Sequence, residues 1–301
     1  MIKRKRINRI AKFFEKIKLK RPNTIDRVVF AIIFVVFVFY SLSLLYPYVW
    51  AIIASLKGVN EYFENPFGLP AKPLFSNYVK ALSGMSFNGY GFLSLTFNSI
   101  WWSSGTVFIS TFCVSIFAYT MAKYNFVGKK ILSGINMFLI LVPIMGSMPA
   151  AYRLYNIYKI INTPLMLLTS IGGFGMTYLI LQSFYMNLSW SYAEAAYVDG
   201  ANDFTIYFKI MLPMSIPPIA ATVLMGFIGH WNDYMTPLLY MTSFPTLASG
   251  LYSYRLLSVD RFGTYPTYLA GIVVSMLPIL ILYSLFHKTI MENMLGGGLK
   301  E

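Results

Sequence analysis

Acids are scarce in this sequence, and three of its 11 fall close together: Glu194, Asp199 and Asp203. They lie in the stretch Ser189 to Pro218, SWSYAEAAYVDGANDFTIYFKIMLPMSIPP, where Lys209 is the only other charge between Lys159 and Asp233. These carboxylates do not form a paired acid–base arrangement, and the chain has no Gly-x-Ser-x-Gly elbow and no His-Glu-x-x-His. Catalysis by this chain is therefore not expected. A nucleotide site is absent by the same test: the one Gly-Lys, Gly128-Lys129, is followed by Lys and lacks the preceding glycine of a phosphate loop. His230 has no Cys, Glu or second His at ligand spacing, and Cys113 is the only cysteine, so neither a metal centre nor an internal disulfide is expected. What remains for the three acids is capping, pairing and docking.

The elements that would hold them are short. Ser191-x-x-Glu194 has the form of a capping box, in which the serine oxygen and the glutamate carboxylate each satisfy an orphan N–H. Gly200 ends the first helix, since positive φ there meets no Cβ. Asn202 or Asp203 caps a second helix, whose Phe204, Tyr207, Phe208 and Met211 fall at i, i+3, i+4 and i+7 as an apolar stripe. Pro213 suits the first turn of the next helix, where its missing N–H costs nothing. The product is a helix–turn–helix knuckle.

That knuckle resembles the EAA loop of binding-protein-dependent ABC importer permeases. The family spacing is met by Glu194-Ala195-Ala196, Gly200, Ile210 and Leu212-Pro213, with Asp199 and Ala201 beside the glycine. The resemblance implies a cytosolic loop that docks in a cleft of a separate ATP-hydrolysing subunit. Glu194 would pair with a base there, Ala195 and Ala196 would permit close approach, and Gly200 would hold the turn.

The rest of the chain supplies the setting. Of 301 residues 57% are apolar and 12% charged, outside the range of soluble domains. Six stretches long enough to cross a bilayer are predicted near Val28–Trp50, Phe97–Ala122, Leu132–Tyr152, Pro164–Leu188, Met214–Pro237 and Pro266–His287. The expected fold is all-α, a polytopic membrane protein with six transmembrane helices and the coupling loop at 189–213. Residues 1–27 form a basic arm, 28–288 the permease domain and 289–301 a flexible tail. The arm holds 11 Lys/Arg and two acids, which places it in the cytosol, against anionic lipid. A nucleic-acid arm would share that charge, but the neighbouring span favours the membrane surface. With six spans the C-terminus is cytosolic too, as is the Glu194 loop.

Other local signals set helix ends and packing. Thr163 or Asn162 caps a helix starting at Pro164, and the Gly172-Gly173…Gly175 cluster permits close helix approach. Pro143, Gly146 and Pro149 break the third stretch. Residues 50–95, with NPFGLPAKP, and 241–265, with Arg255, Asp260 and Arg261, form outer loops. Gln182, Trp231, Asn232 and Asp233 are the candidate translocation-path residues, Asp233 because an acid at membrane depth is usually functional. Capping by Asp233 and Asn232 is the competing role.

Asn98-Ser99, the Ala118-Tyr119…Gly128-Lys129 run and Trp231-Asn232-Asp233 are similar to the carbohydrate-uptake branch of these permeases, the subunit type of the maltose system's smaller permease. This implies a prokaryotic cytoplasmic membrane protein working with a second homologous permease, an ABC ATPase dimer and an extracellular sugar-binding protein. ATP and Mg would reside on the ATPase, and no nucleic acid is involved. A permease for a non-sugar solute is the alternative, and then an ion-coupled secondary transporter. The tail ends in Lys300-Glu301 where relatives carry Lys-Gly.

Overall fold

A computed structural model describes residues 23–142, 146–259 and 264–296. Residues 1–22 of the basic arm, Pro143, Asp260, Arg261 and the last residues of the tail lie outside the described residues. The chain divides into two units, Met1–Ile53 and Ala54–Glu301.

The first unit is carried by α1, which begins at Thr24 and runs to Ser55 around an internal Pro47. Its mean hydropathy reaches 2.9 over a spanning window, so it is long and apolar enough to cross a membrane. Asp26 accepts from the backbone N–H of Asn23 at 3.0 Å, placing a carboxylate at the positive end of the helix.

In the second unit, α2 (Val59–Glu64) and α3 (Ser76–Gly84) lead to a hairpin of β1 (Ser86–Phe87) and β2 (Tyr90–Gly91). Asn88-Gly89 turns it with φ of 51° and 81°, the positive pair that a two-residue hairpin loop requires. Phe75 stands at the cap of α3, and Asn77 is buried, donating to the carbonyls of Ser55 and Lys57 at 2.8 Å.

The central element is α4 (Phe92–Lys123). Its buried polar residues serve as clasps. Asn98 donates to Pro245 O at 2.9 Å, and Ser99 accepts from Leu247 N at 2.7 Å. The pair that carried part of the family resemblance thus fastens the segment 241–265.

The predicted third, fourth and fifth stretches are broken. The third comprises α5 (Lys129–Leu141) and α6 (Ser147–Ile157), the latter starting after Gly146 at φ 72°. In the fourth, a 3-10 turn (Pro164–Ser170) precedes α7 (Met176–Asn187). Thr163 caps that turn, accepting from Leu165 N. Asn162 instead joins the segment 241–265 through Ser243. Gly173 does permit close approach: a Cβ there would lie 2.9 Å from the Phe117 ring.

After α7 come α8 (Ser191–Val198), α9 (Asp203–Met214), α10 (Ile216–Asn232) and α11 (Met235–Tyr240). Then α12 (Leu247–Tyr254) leads to α13 (Tyr265–Gly296), so helix continues into the segment expected to be a flexible tail. Among the described residues, α1, α4 and Tyr265–His287 are single helices of spanning length, and α9 with α10, bent by 73°, adds a fourth when the pair is counted as one span. Apolar side chains such as Phe97, Phe108, Leu277 and Leu285 stay exposed along them, as suits a lipid-facing or partner-facing surface.

Candidate coupling site and polar cavity

The knuckle begins where α7 stops. Lys123, at the end of α4, donates its ammonium to the carbonyl of Leu188 just past α7 and sits over the Trp190 ring. A cation thereby meets the negative end of a helix.

The expected capping box does not form. Trp190 occupies the cap position with helical φ and ψ of −71° and −18°, and its carbonyl accepts from Ala193 N and Glu194 N. Ser191 is therefore already inside the first turn, whereas an N-cap needs extended backbone. Ser189 takes over locally, accepting from Ser191 N at 3.3 Å and pairing with the Ser191 hydroxyl. The Glu194 carboxylate is exposed and has no hydrogen-bond partner among the described residues.

Helix α8 is two-sided. Ala193 and Ala196 are buried against Tyr185, Ile206 and Tyr207, while Glu194, Ala195, Val198 and Asp199 are exposed. Its end is a Schellman motif: Gly200, at φ 81°, donates to Tyr197 O, and Ala201 N donates to Ala196 O at 2.9 Å. Asn202 then caps α9 through Thr205 N at 2.8 Å.

Asp203, the alternative cap in the sequence, has a different role. Its carboxylate accepts from Tyr124, just past α4, at 2.8 Å, and from Tyr197 on α8. These two donors hold the Asp203 pKa below its ordinary range. Burial first, with the hydrogen bonds second, pushes the Tyr124 phenol up. Two arms of the knuckle and the end of α4 thus meet at one carboxylate.

The predicted stripe on α9 is displaced. Ile206, Tyr207 and Met211 are buried with Ile210 half-buried, but Phe204 is 76% exposed and Phe208 is exposed. The inward residues Ile206, Tyr207, Ile210 and Met211 keep i, i+1, i+4, i+5 spacing, so the buried face is turned away from Phe204 and Phe208, and a π-helical turn spans Tyr207–Met211. Leu212 is half-buried and Pro213 exposed, immediately before the bend at Ser215.

Behind the knuckle lies a buried hydroxyl network. Ser115 of α4 pairs with Tyr185 of α7 at 2.8 Å and accepts from Tyr207 of α9 at 2.9 Å. Tyr185 also pairs with Ser215 at 2.8 Å. Three helices and the bend are joined by four hydroxyls.

The candidate path residues part company. Trp231 is buried, donates to Ser275 O at 3.1 Å and stacks on Phe227, so it packs α10 against α13. Asn232 is exposed and donates back to Ile228 O. Gln182 is half-buried with no hydrogen bond among the described residues. Asp233 does cap: one oxygen accepts from Met235 N and Thr236 N, both at 3.0 Å. It also lines a polar cavity of about 350 Å³, with Trp102, Thr106, Ser170, His230 and Thr236. Sequence reasoning missed Trp102, Thr106 and Ser170 because three separate segments converge there. Only the clustering of small hydroxyl residues in α4, Ser99 to Thr111, hinted at them.

A long-helix bundle with an exposed knuckle on a break between spans defines the membrane-embedded component of a transport system. The chain belongs to the family of binding-protein-dependent transport system inner membrane components, which residues 111–291 match. It is a multi-pass membrane permease. Its relatives include the diacetylchitobiose uptake system permease protein NgcG of Streptomyces coelicolor, 28% identical over 90% of this chain and 89% of that one. The galactooligosaccharides transport system permease protein GanQ of Bacillus subtilis is 27% identical over 87% and 92%. In fold the chain is similar to a bacterial ABC transporter involved in import of the acidic polysaccharide alginate, with a TM-score of 0.75. That likeness carries 22% identity and covers 88% of this chain and 98% of the other.

Proposed function

We propose that this chain is one of two permease subunits of an ATP-driven importer that carries a sugar or oligosaccharide into the cell. The observation that carries the coupling role is the exposed face of α8. A carboxylate without a hydrogen-bond partner among the described residues, Glu194, stands beside Ala195 and Val198, the latter 88% exposed, on a helix whose other face is anchored. Exposed apolar and acidic groups on a rigid knuckle suit docking to another subunit. An ATPase dimer would receive this face, holding the ATP and Mg, while an outer sugar-binding protein delivers the cargo to the opposite side. Both termini would be cytosolic. Relatives named for diacetylchitobiose, galactooligosaccharides and arabinooligosaccharides support a carbohydrate cargo.

Mechanistically, ATP-driven closure of the ATPase dimer moves the knuckle as a unit, because its two arms are held together by Asp203 and the Gly200 turn. The hydroxyl network passes that motion to α4 and α7. Purification of the tagged chain in mild detergent, followed by mass spectrometry, is expected to recover a second permease and two ABC ATPase copies per pair. Recovery of this chain alone after gentle cross-linking would overturn the proposal and favour a stand-alone transporter.

A further inference from the structure

The cavity beside Asp233 contains an anomaly. Trp102 and Thr106 stand one helical turn apart on α4, each 2% exposed, and both line it. The indole N–H of Trp102 and the hydroxyl of Thr106 have no hydrogen-bond partner among the described residues. Orphaned polar groups at such depth are rare in native proteins and destabilising, so a small turn of either side chain toward the cavity would let it bond a hydroxyl-bearing ligand.

The opposite wall completes the set. The His230 imidazole makes no hydrogen bond among the described residues, and the second carboxylate oxygen of Asp233 accepts none there. The Ser170 and Thr236 hydroxyls border the same space. Together they offer an indole donor, an imidazole, a carboxylate acceptor and hydroxyls able to donate or accept. Vicinal sugar hydroxyls present the same mixture in reverse. The volume, about 350 Å³, lies near the lower end of the roughly 300–1,000 Å³ typical of small-ligand sites, room for a short glycosyl segment.

Charge narrows the choice. One lining residue is acidic and none is Lys or Arg. A uronate entering this space would set its carboxylate against Asp233 with no cation in between, and water-poor surroundings strengthen that repulsion. Taking the carbohydrate importer proposed above as its premise, we infer that this cavity is a glycosyl subsite within this subunit, selective for uncharged sugars over uronates. Trp102 and Thr106 hydrogen-bond the sugar, and Asp233 both accepts from its hydroxyls and excludes acidic cargo.

The test uses the complete transporter in proteoliposomes, with co-purified partner permease, ATPase and receptor. Radiolabelled diacetylchitobiose, galactobiose and arabinotriose serve as uncharged probes and digalacturonate as the acidic one. Wild type is expected to import at least one uncharged probe and to exclude digalacturonate. Thr106→Val removes the hydroxyl at nearly constant volume and is expected to lower uptake about tenfold, whereas Thr106→Ser stays within about twofold. Asp233→Asn keeps an oxygen to cap α11 but loses the charge, so digalacturonate uptake is expected to appear. Size-exclusion chromatography verifies that each variant complex is assembled. Undiminished uptake by Thr106→Val, or equal loss in Thr106→Ser, overturns the subsite while leaving a sugar importer standing. Unchanged exclusion by Asp233→Asn overturns the charge filter alone. Failure of wild type to import any saccharide brings down both the subsite and the carbohydrate assignment.

Discussion

Asp203 illustrates how one carboxylate can organise a functional loop without touching a ligand. It receives the phenols of Tyr124 and Tyr197, so it fixes the angle between α8 and α9 and ties both to the end of α4. Its pKa is held down by those donors, so the clasp is fully present above the ordinary carboxylate range and is lost as pH falls through the lower folded value. Neutral-pH changes should leave it untouched. Asp203→Ala is expected to lower the sugar transported per ATP hydrolysed by roughly three- to tenfold, with Asp203→Asn intermediate because it retains an acceptor. Equal coupling ratios in all three proteins would show that the clasp does not transmit. Gly200 offers a companion test. Open space surrounds its Cβ position and φ is 81°, a conformation that Asn and Asp tolerate best after Gly. Gly200→Asp should insert and assemble yet lose most uptake, since it adds a charge beside Asp199 on the docking face. Wild-type uptake from Gly200→Asp would argue against docking there.

At the scale of elements, the sequence was legible wherever a rule acts within a few residues. The Gly200 turn, the Asn202 cap and the Thr163 cap all appear as expected, because each needs only its own backbone neighbours. The Ser191–Glu194 box failed because Trp190 stays helical, a choice made by its packing against Tyr124 and Tyr197 rather than by local propensity. The apolar stripe on α9 was misplaced because Ile206, Tyr207, Ile210 and Met211 also share a helical face, and periodicity alone does not say which of two overlapping apolar faces packs inward. The hydroxyl network was equally hidden, since Ser115, Tyr185, Tyr207 and Ser215 are spread over 100 residues of chain. Its energetic weight can be measured. Tyr185→Phe deletes both bonds made by that phenol and leaves the Ser115 and Ser215 hydroxyls short of a partner. The loss is about 1–3 kcal/mol, which lowers the thermal midpoint of the solubilised complex by roughly 2–12 °C at the slope usual for domains of 150–250 residues. A midpoint unchanged by Tyr185→Phe would mean that water replaces the phenol at little cost.

For the whole molecule, function depends on which side of the bilayer each end of the fold faces. The polar cavity sits at the C-terminal end of α10 and the knuckle precedes its N-terminal end, with a helix of 17 residues between them. At 1.5 Å per residue that separation is about 25 Å, most of the hydrocarbon thickness. On the proposed function, a single helix sets cargo chemistry and energy coupling toward opposite faces. The basic arm is the main topological signal, because positive residues remain on the cytosolic side. On the proposed topology the knuckle is cytosolic and the two loops joined through Asn162 and Ser243 lie outside. Cysteine labelling separates these cases cleanly, since Cys113 is the sole native thiol. In a Cys113→Ser background, Glu194→Cys is expected to react with a membrane-impermeant maleimide only after the cells are permeabilised, whereas Ser243→Cys reacts in intact cells. The reverse pattern would invert the topology and with it the direction in which the knuckle could be driven by ATP. Labelling of Glu194→Cys should fall further when the ATPase is co-expressed, because docking covers α8. Undiminished labelling in the assembled complex would mean that the exposed face of α8 is not the surface the ATPase holds.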